Sequence, residues 1–327
     1  MWLNCVSMPL DVHEKILFVF SDPGGAKPCL SLIENNGLTD AVAISDRTHS
    51  FYSDFNVPVK IVKNDYEGLL ESIQPALVFT GTSYTSDIER QFINIALGKK
   101  IRCYSFIDHW TSMVKRFKNP EDQLILPDQV WVIDERAKRL AIGEGIDKDK
   151  IVISGNPYHA WLKRWVPSIS KDGFLREIGV SDGTKKILLF APDPLSNLGS
   201  ESSYGFDELK VSRELAELFC LNQDALKNWK VLVKAHPNQD RSRLTEIFTG
   251  NPFFEVLTPN VDTNTAMFYS DVVMGFFSSI LIEASIMNKR VLRFLDSNPV
   301  EDPIYELNIG PIVDRNSFIT ELNKTIV

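Results

Sequence analysis

Short runs of β-branched and aromatic residues recur along the chain, and segments with helical periodicity lie between them. Continuous apolar runs are typical of buried parallel strands, and a 3.6-residue period is typical of helices. In the first half, strands are predicted at residues 15–20, 41–45, 59–62, 76–80, 102–107, 129–133 and 151–154. Helices are predicted at residues 28–35, 66–72, 86–97 and 135–144. This alternation predicts an α/β domain with a doubly wound parallel sheet.

The pattern loosens between Tyr158 and Lys185 and then starts again, which indicates a boundary between two domains. The second series predicts strands at residues 186–191, 229–235, 254–257, 271–276 and 290–294. Its helices are predicted at residues 207–220, 242–249, 263–269 and 279–288. We therefore predict two Rossmann-like doubly wound domains, residues 1–165 and 166–327, that face a cleft. Ligands of such sheets bind outside the carboxyl ends of the strands.

Composition and charge limit the classes of function. The chain has 327 residues, of which 44% are hydrophobic and 24% charged, as in ordinary globular proteins. Its net charge of −8 argues against a nucleic-acid partner. The longest apolar stretch, residues 272–282, contains two serines and is too short to cross a bilayer, so we expect peripheral membrane contact at most. Four scattered cysteines without metal-ligand spacing indicate a cytoplasmic protein with no metal site.

The segment from Asp271 to Ala284 carries the strongest candidate for a binding site. A buried strand is followed by Ser278 and Ser279, which open a helix. Hydroxyl groups, free N–H groups and the helix dipole together favour an anion at such a turn. Glu283 lies one helical turn after Ser279, where its carboxylate could accept both hydroxyls of a ribose. The alternative is that Ser279 caps the helix and Glu283 complements its dipole.

A second polar strand end follows the predicted strand 229–235, in the sequence Lys234-Ala-His236-Pro237. His236 is expected at the carboxyl end of that strand, facing the same crevice as Ser278, although a lone histidine is also common in an ordinary turn. The second half of the chain is more acidic than the first. Phosphate binding would therefore depend on His236, Lys234 and the helix start, and not on a diffuse basic surface.

In the first half, Gly24 and Gly25 follow the first predicted strand. Adjacent glycines allow a ligand to approach the backbone closely, although they also suit a plain tight turn. The segment is neither a dinucleotide fingerprint nor a P-loop. The basic run at residues 115–118 is typical of a solvated face, and the alternative is contact with an anionic or lipid-linked acceptor.

Another strand end in the first half carries Asp108, His109 and Trp110. A carboxylate and an imidazole at this position are suited to general-base chemistry, and the indole offers a face on which a sugar can stack. Asp108 is the first candidate for the base, and Asp22 is the second. The alternative is that Asp108 is a structural residue in a loop.

Together these features resemble the GT-B glycosyltransferase superfamily, in particular the smaller bacterial enzymes of surface-polysaccharide synthesis. Lys234-Ala-His236-Pro237 is similar to the His-Pro motif of sialyl-, Kdo- and glycerophosphate-transferring families, and Ser278-Ser279 is similar to their serine pair. The resemblance implies that His236 and both serines hold the nucleotide phosphate. Glu283-Ala284 is similar to the segment carrying the ribose-binding glutamate of many such transferases.

The resemblance also implies an activity. The expected enzyme is a metal-independent, cofactor-free glycosyltransferase that moves a sugar or sugar acid from a CMP- or UDP-linked donor. Its acceptor would be a saccharide or lipid-linked saccharide of bacterial capsule or lipopolysaccharide.

The same segments are also similar to the non-hydrolysing UDP-N-acetylglucosamine 2-epimerases, whose fold is related. Those enzymes carry a similar His-Pro-Asn and a Ser-containing Glu-Ala motif, whereas Ser278-Ser279-Ile280 stands here in place of their usual Ser-Gly-Gly. A sugar-nucleotide epimerase is therefore the alternative to the glycosyltransferase, and a non-catalytic nucleotide-sugar-binding protein is the second alternative. Incubation with the donor alone separates an epimerase from a transferase.

Overall fold

The computed structural model describes residues 10–119, 121–198, 204–295, 302 and 304–324. The chain divides into two compact units, Met1–Arg164 and Trp165–Val327. Each unit contains one parallel sheet with helices between its strands, so the predicted fold class is confirmed. None of the helices within the described ranges is both long and apolar enough to cross a membrane.

The first unit is built on a seven-stranded sheet in the order β3-β2-β1-β4-β5-β6-β7. The strands are Ile16–Phe20 (β1), Ala41–Ser45 (β2), Val59–Ile61 (β3), Leu77–Thr80 (β4), Arg102–Ile107 (β5), Gln129–Val132 (β6) and Ile151–Ile153 (β7). Its helices are Pro23–Asn36 (α1), Tyr66–Ile73 (α2), Ile88–Gly98 (α3), Glu135–Gly143 (α4) and Pro157–Leu162 (α5). Every residue of β1 is buried, as expected for the centre of a parallel sheet covered by helices.

The helix α1 starts five residues earlier than the sequence pattern predicts, so Gly24 and Gly25 lie in its first turn and not in a loop. Pro23 suits the start of a helix because its fixed φ is helical and it has no N–H to leave unpaired. A Cβ on Gly25 would lie 3.0 Å from the Cα of Gly81. The glycine therefore lets the helix approach the end of β4, and a ligand is not needed to explain it.

The second unit is built on a six-stranded sheet in the order β10-β9-β8-β11-β12-β13. The strands are Lys186–Phe190 (β8), Trp229–Val233 (β9), Phe254–Val256 (β10), Val272–Gly275 (β11), Arg290–Phe294 (β12) and Ile312–Val313 (β13). Its helices are Lys171–Glu177 (α6), Glu208–Leu221 (α7), Gln223–Leu226 (α8), Arg241–Phe248 (α9), Thr263–Tyr269 (α10), Ser279–Ile286 (α11) and Phe318–Leu322 (α12). The two-residue strand β13 is too short to give a hydrophobic pattern, and the sequence did not predict it.

Both sheets run 3-2-1-4-5-6 when their strands are numbered from the start of each unit, and the first sheet adds a seventh. In this order the connections reverse direction between the first and the fourth strand, and ligands bind at the carboxyl ends beside that point. The switch points are therefore β1/β4 in the first unit and β8/β11 in the second.

Candidate functional site

The sheet register of the second unit brings its polar strand ends to one edge. Val233 of β9, Phe190 of β8 and Met274 of β11 lie in one row across the sheet. His236 follows this row by three residues and Ser278 follows it by four. Because adjacent strands are about 4.8 Å apart, the backbone ends of β9 and β11 are separated by roughly 10 Å. A single diphosphate can therefore lie between them.

His236 is a neutral hydrogen-bond donor. Its Nδ1 accepts the N–H of Asn238 at 3.1 Å, which places the remaining ring proton on Nε2. Partial burial lowers the pKa of His236, so the imidazole is uncharged at pH 7. Within the described residues Nε2 has no hydrogen-bond partner. The geometry therefore leaves one N–H at the strand end for an outside acceptor.

Lys234 holds the neighbouring loop. Its Nζ donates to the carbonyl oxygens of Val261 at 2.6 Å, Pro259 at 3.2 Å and Thr258 at 3.4 Å. Burial lowers the pKa of this ammonium group, although Asp262 acts in the opposite direction. With its three protons directed at carbonyls, Lys234 fixes the loop after β10. Its ammonium group can therefore attract an anionic ligand by its charge but has no proton left to donate to it.

The serine pair lies at the start of α11, where the first N–H groups have no partner inside the helix. Ser278 occupies the N-cap position but makes no side-chain capping bond, and Ser279 is exposed. Glu283 is half-buried one turn further on, and Pro237, beside His236, is exposed. The hydroxyls and the helix dipole are thus available to an anion.

Asp193, which the sequence analysis missed, lies at the same switch point. It follows the end of β8 by three residues, and its Oδ2 accepts the N–H of Phe277 at 3.0 Å. Burial raises the pKa of Asp193 against the opposing effect of the N–H groups of residues 276–278. This carboxyl fastens the loop before α11 to the end of β8. Its signal was the sequence Pro192-Asp193-Pro194, which matches Asp22-Pro23 at the first switch point.

The first unit repeats this register. Val19 of β1, Thr80 of β4 and Ser105 of β5 lie in one row. Asp22 and Asp108 each follow that row by three residues. The two predicted carboxylates therefore project from the same edge, with the end of β4 between them.

Asp22 fastens loops in the same way as Asp193. Its Oδ2 accepts the N–H of Tyr84 at 2.9 Å, and its Oδ1 accepts the hydroxyl of Thr85. Arg47 adds an ion pair at 3.4 Å. These partners occupy both oxygens of the carboxylate. We call such an aspartate a clasp, because it follows the first strand of its sheet and is hydrogen-bonded to the loop after the fourth strand.

Asp108 is held by an arginine. Its Oδ1 lies 3.1 Å from Nη1 of Arg116, and its side chain remains 23% exposed. A Cβ on Gly24 would lie 2.1 Å from Oδ2, so Gly24 makes room for this carboxylate at the start of α1. The basic run that was expected to form a solvated face therefore contains one buried basic residue, Arg116.

The two neighbours of Asp108 differ in how far they remain open to a substrate. His109 is exposed, with Nδ1 2.9 Å from the hydroxyl of Thr111. The indole N–H of Trp110 donates to Asp134 at 2.9 Å, and Arg136 lies 5.7 Å from its ring centre. One face of this ring is thus already in contact with a guanidinium group.

Glu89, on α3, is a buried carboxyl that the sequence analysis missed. Its Oε1 accepts the N–H of Ser21 at 3.0 Å and the hydroxyl of Ser83. The hydroxyl oxygen of Ser83 in turn accepts the N–H of Asp22 at 2.9 Å. Burial raises the pKa of Glu89 to about 7. A single acid in the apolar pattern of a helix gave no signal of this position.

Among the described residues, no cluster of three or more His, Cys, Asp or Glu could hold a metal ion.

The sequence matches no protein-family model and no curated protein. Similar solved structures are the S. aureus MnaA-UDP co-structure and two UDP-N-acetylglucosamine 2-epimerases. The MnaA structure has a TM-score of 0.67 at 15% identity and covers 94% of this chain and 87% of that one. The Methanocaldococcus jannaschii epimerase has a TM-score of 0.66 at 14% identity, over 95% and 93% of the two chains. The Neisseria meningitidis epimerase bound to UDP-GlcNAc has a TM-score of 0.62 at 14% identity, over 94% and 90%.

These comparisons correct the predicted activity. The glycosyltransferase function and enzyme class expected from the sequence are contradicted, because the similar structures named by activity are epimerases. The resemblance to sialyl-, Kdo- or glycerophosphate-transferring families and the link to capsule or lipopolysaccharide are not supported either. At these identities the similarity establishes the fold, a GT-B-like pair of Rossmann-like units.

Proposed function

We propose that the protein is a UDP-N-acetylglucosamine 2-epimerase-like enzyme, which inverts a sugar carbon while the sugar is handled as its UDP derivative. The observation that carries the proposal is the second switch point. It presents the Nε2–H of neutral His236 and two serine hydroxyls at a helix start, on a fold shared with structures that hold UDP or UDP-GlcNAc.

The second unit supplies the nucleotide site in this proposal. The Nε2–H of His236 and the hydroxyls of Ser278 and Ser279 donate to the diphosphate, and the dipole of α11 favours its charge. Glu283 is the candidate acceptor for the ribose hydroxyls. Lys234 acts by fixing the loop at residues 258–261, and no metal or cofactor is proposed.

The chemistry of inversion explains why phosphate donors and a base are both needed. The C2 hydrogen of UDP-N-acetylglucosamine is not next to a carbonyl, so its removal as a proton needs another place for the electron pair. If a base takes this proton, the pair forms a C1–C2 double bond while the C1–O bond breaks and its pair leaves on UDP. Return of UDP to C1, with a proton delivered to the opposite face of C2, completes the inversion. Donors that stabilise UDP as it leaves therefore accelerate the step.

The first unit supplies proton transfer. Asp108 is the candidate base, because its carboxylate is fixed at the strand edge and partly exposed. A second group must return the proton from the other face, and the exposed ring of His109 is the candidate. Asp22 is not proposed as a base, because both of its carboxylate oxygens already accept hydrogen bonds from the loop after β4.

The test is incubation with UDP-N-acetylglucosamine alone, followed by proton NMR of the anomeric region. The wild type should form UDP-N-acetylmannosamine without an acceptor. His236→Ala should reduce turnover by about 10²–10³-fold, because it removes a donor to the leaving phosphate. His13→Ala is the matched control, since His13 is exposed before β1, at the opposite edge of that sheet. UDP binding with no epimer in the wild type would indicate a binding protein and contradict the proposal.

A further inference from the structure

One buried charge in the first unit has no part in the proposed nucleotide site. The side chain of Arg116 is 6% exposed, whereas Lys115, its neighbour in the basic run, is exposed. A guanidinium group is taken from water at a large cost in free energy unless its partners compensate. The burial of Arg116 therefore cannot be explained as that of a basic residue that keeps the surface soluble.

The hydrogen bonds of Arg116 within the described residues all start from one nitrogen. Nη1 donates to Oδ1 of Asp108 at 3.1 Å and to Oγ1 of Thr82 at 3.0 Å. The ring of Tyr84 lies over the guanidinium, 4.5 Å from Cζ, and limits its access to water. The arginine thus links the loop after β4 to the carboxylate after β5.

A purely structural role accounts poorly for this arrangement. Buried Nε has no hydrogen-bond partner among the described residues. An unsatisfied buried donor costs about 1–3 kcal/mol, and an apolar side chain of similar size often replaces a buried ion pair without loss of stability. The residue is better explained by what it does to Asp108.

The carboxylate of Asp108 is restrained from two sides. Oδ1 is bonded to Arg116, and Oδ2 lies against the first turn of α1, where Gly24 leaves the space for it. These contacts fix one direction of the side chain while 23% of it stays exposed. A base must lie within hydrogen-bond reach of the proton that it removes, so its direction controls the rate.

We propose that Arg116 is the positioning residue of Asp108, which keeps the carboxylate aimed at the reacting carbon between proton transfers. This inference rests on the proposed epimerase function. If the wild type makes no epimer from UDP-N-acetylglucosamine, the proposed function has failed. If the wild type is active and the arginine variants behave like their control, only this inference has failed.

The experiment compares Arg116→Met and Arg116→Lys with the control Lys115→Met, an exposed member of the same run. Arg116→Met should lower kcat by about 100-fold, the effect of misplacing a reacting group by roughly 1 Å. KM and the Kd for UDP should stay within about threefold of the control, since neither Arg116 nor Asp108 is among the residues proposed to hold the nucleotide. Arg116→Lys keeps the charge but loses the planar fork, and should fall between the two.

Added guanidinium chloride at non-denaturing concentration gives a second readout. It should restore part of the kcat of Arg116→Met, and it should not stimulate Lys115→Met. If Arg116→Met does not fold, Arg116→Lys decides the question through its kcat and KM. A kcat equal to that of the control in the folded arginine variants overturns the proposal, and so does an equal loss of UDP binding.

Discussion

The two switch points use the same clasp but surround it differently. In the first unit Asp22 accepts the N–H of Tyr84, and in the second Asp193 accepts the N–H of Phe277. Each aspartate follows the first strand of its sheet and bonds the loop after the fourth. In α/β sheets of this order, the crevice beside these strands is the binding region. The shared carboxylates are explained by the fold, and the differences around them indicate chemistry.

Those differences lie in the helix that follows the fourth strand. In the second unit α11 begins at Ser279, directly beside the switch point, and presents its positive end with two hydroxyls. In the first unit α3 begins later, at Ile88, and buries the carboxyl of Glu89 under the loop. The second crevice therefore offers hydrogen-bond donors to an anion, whereas the first presents the partly exposed carboxylate of Asp108. This difference is the reason that the proposed function gives phosphate binding to the second unit and proton transfer to the first.

Asp108→Asn should give the largest effect and test this division most severely. Without a basic carboxylate, turnover of UDP-N-acetylglucosamine should fall by about 10³-fold or more. The Kd for UDP, measured by calorimetry, should not change. Weaker UDP binding in a folded variant would make Asp108 a ligand of the nucleotide and remove the division between the units.

Glu89→Gln should change the pH dependence of stability. The folded-state pKa of about 7 lies above the ordinary value of 4.5, so between these pH values the unfolded chain releases a proton that the folded protein keeps. The free energy of unfolding therefore falls as pH rises, by roughly 3 kcal/mol in total. Urea denaturation at pH 5 and at pH 7.5 should show most of this loss in the wild type and a smaller one in Glu89→Gln. The exposed control Glu71→Gln should follow the wild type, and equal slopes for all three proteins would refute the burial argument.

His236→Ala should weaken UDP binding by about 10–100-fold, the range for a hydrogen bond to a charged group. Its effect on the stability of the fold should be small, because among the described residues the ring makes only the local bond to Asn238. Calorimetric titration with UDP measures the change, with His13→Ala as control. An unchanged Kd for UDP would show that His236 does not donate to the phosphate.

Ser279→Ala should give the smallest effect, about fivefold in Kd for UDP, because one neutral hydroxyl is lost and the helix start remains. Ser285→Ala removes an exposed hydroxyl near the other end of the same helix and serves as the control. A loss that matches the control would show that the backbone of α11, and not its hydroxyl, meets the phosphate.

The hydrophobic pattern was sufficient to predict the fold class, since short apolar runs such as Ile16–Phe20 alternate with helical segments, as is typical of parallel α/β sheets. It could not predict how loops meet at the strand ends. Gly24 and Gly25 were predicted as either a ligand-binding turn or a plain tight turn, whereas they lie in the first turn of α1, where a Cβ would come too close to Asp108 or Gly81. Lys234 was assigned to phosphate, whereas its protons are directed at carbonyls that lie 24 or more residues further along the chain.

The site residues of the second unit were placed at one edge by their order alone, because parallel strands end together. The partners that define their chemistry were not visible. The tautomer of His236 depends on the backbone N–H of Asn238, and Arg116 looked like its exposed neighbours in a basic run. The predicted activity was wrong: the His-Pro dipeptide is similar to motifs of both families and did not distinguish them, and the similar structures named by activity are epimerases.

The central claim is tested most directly by incubating the protein with UDP-N-acetylglucosamine in deuterium oxide and measuring the sugar by NMR and mass spectrometry. The wild type should yield UDP-N-acetylmannosamine with one deuterium at C2, because the proton removed by the first unit is exchanged with solvent before its return. Asp108→Asn should bind UDP and give neither epimer nor deuterium. A wild type that binds UDP but leaves C2 unexchanged and uninverted would contradict the account.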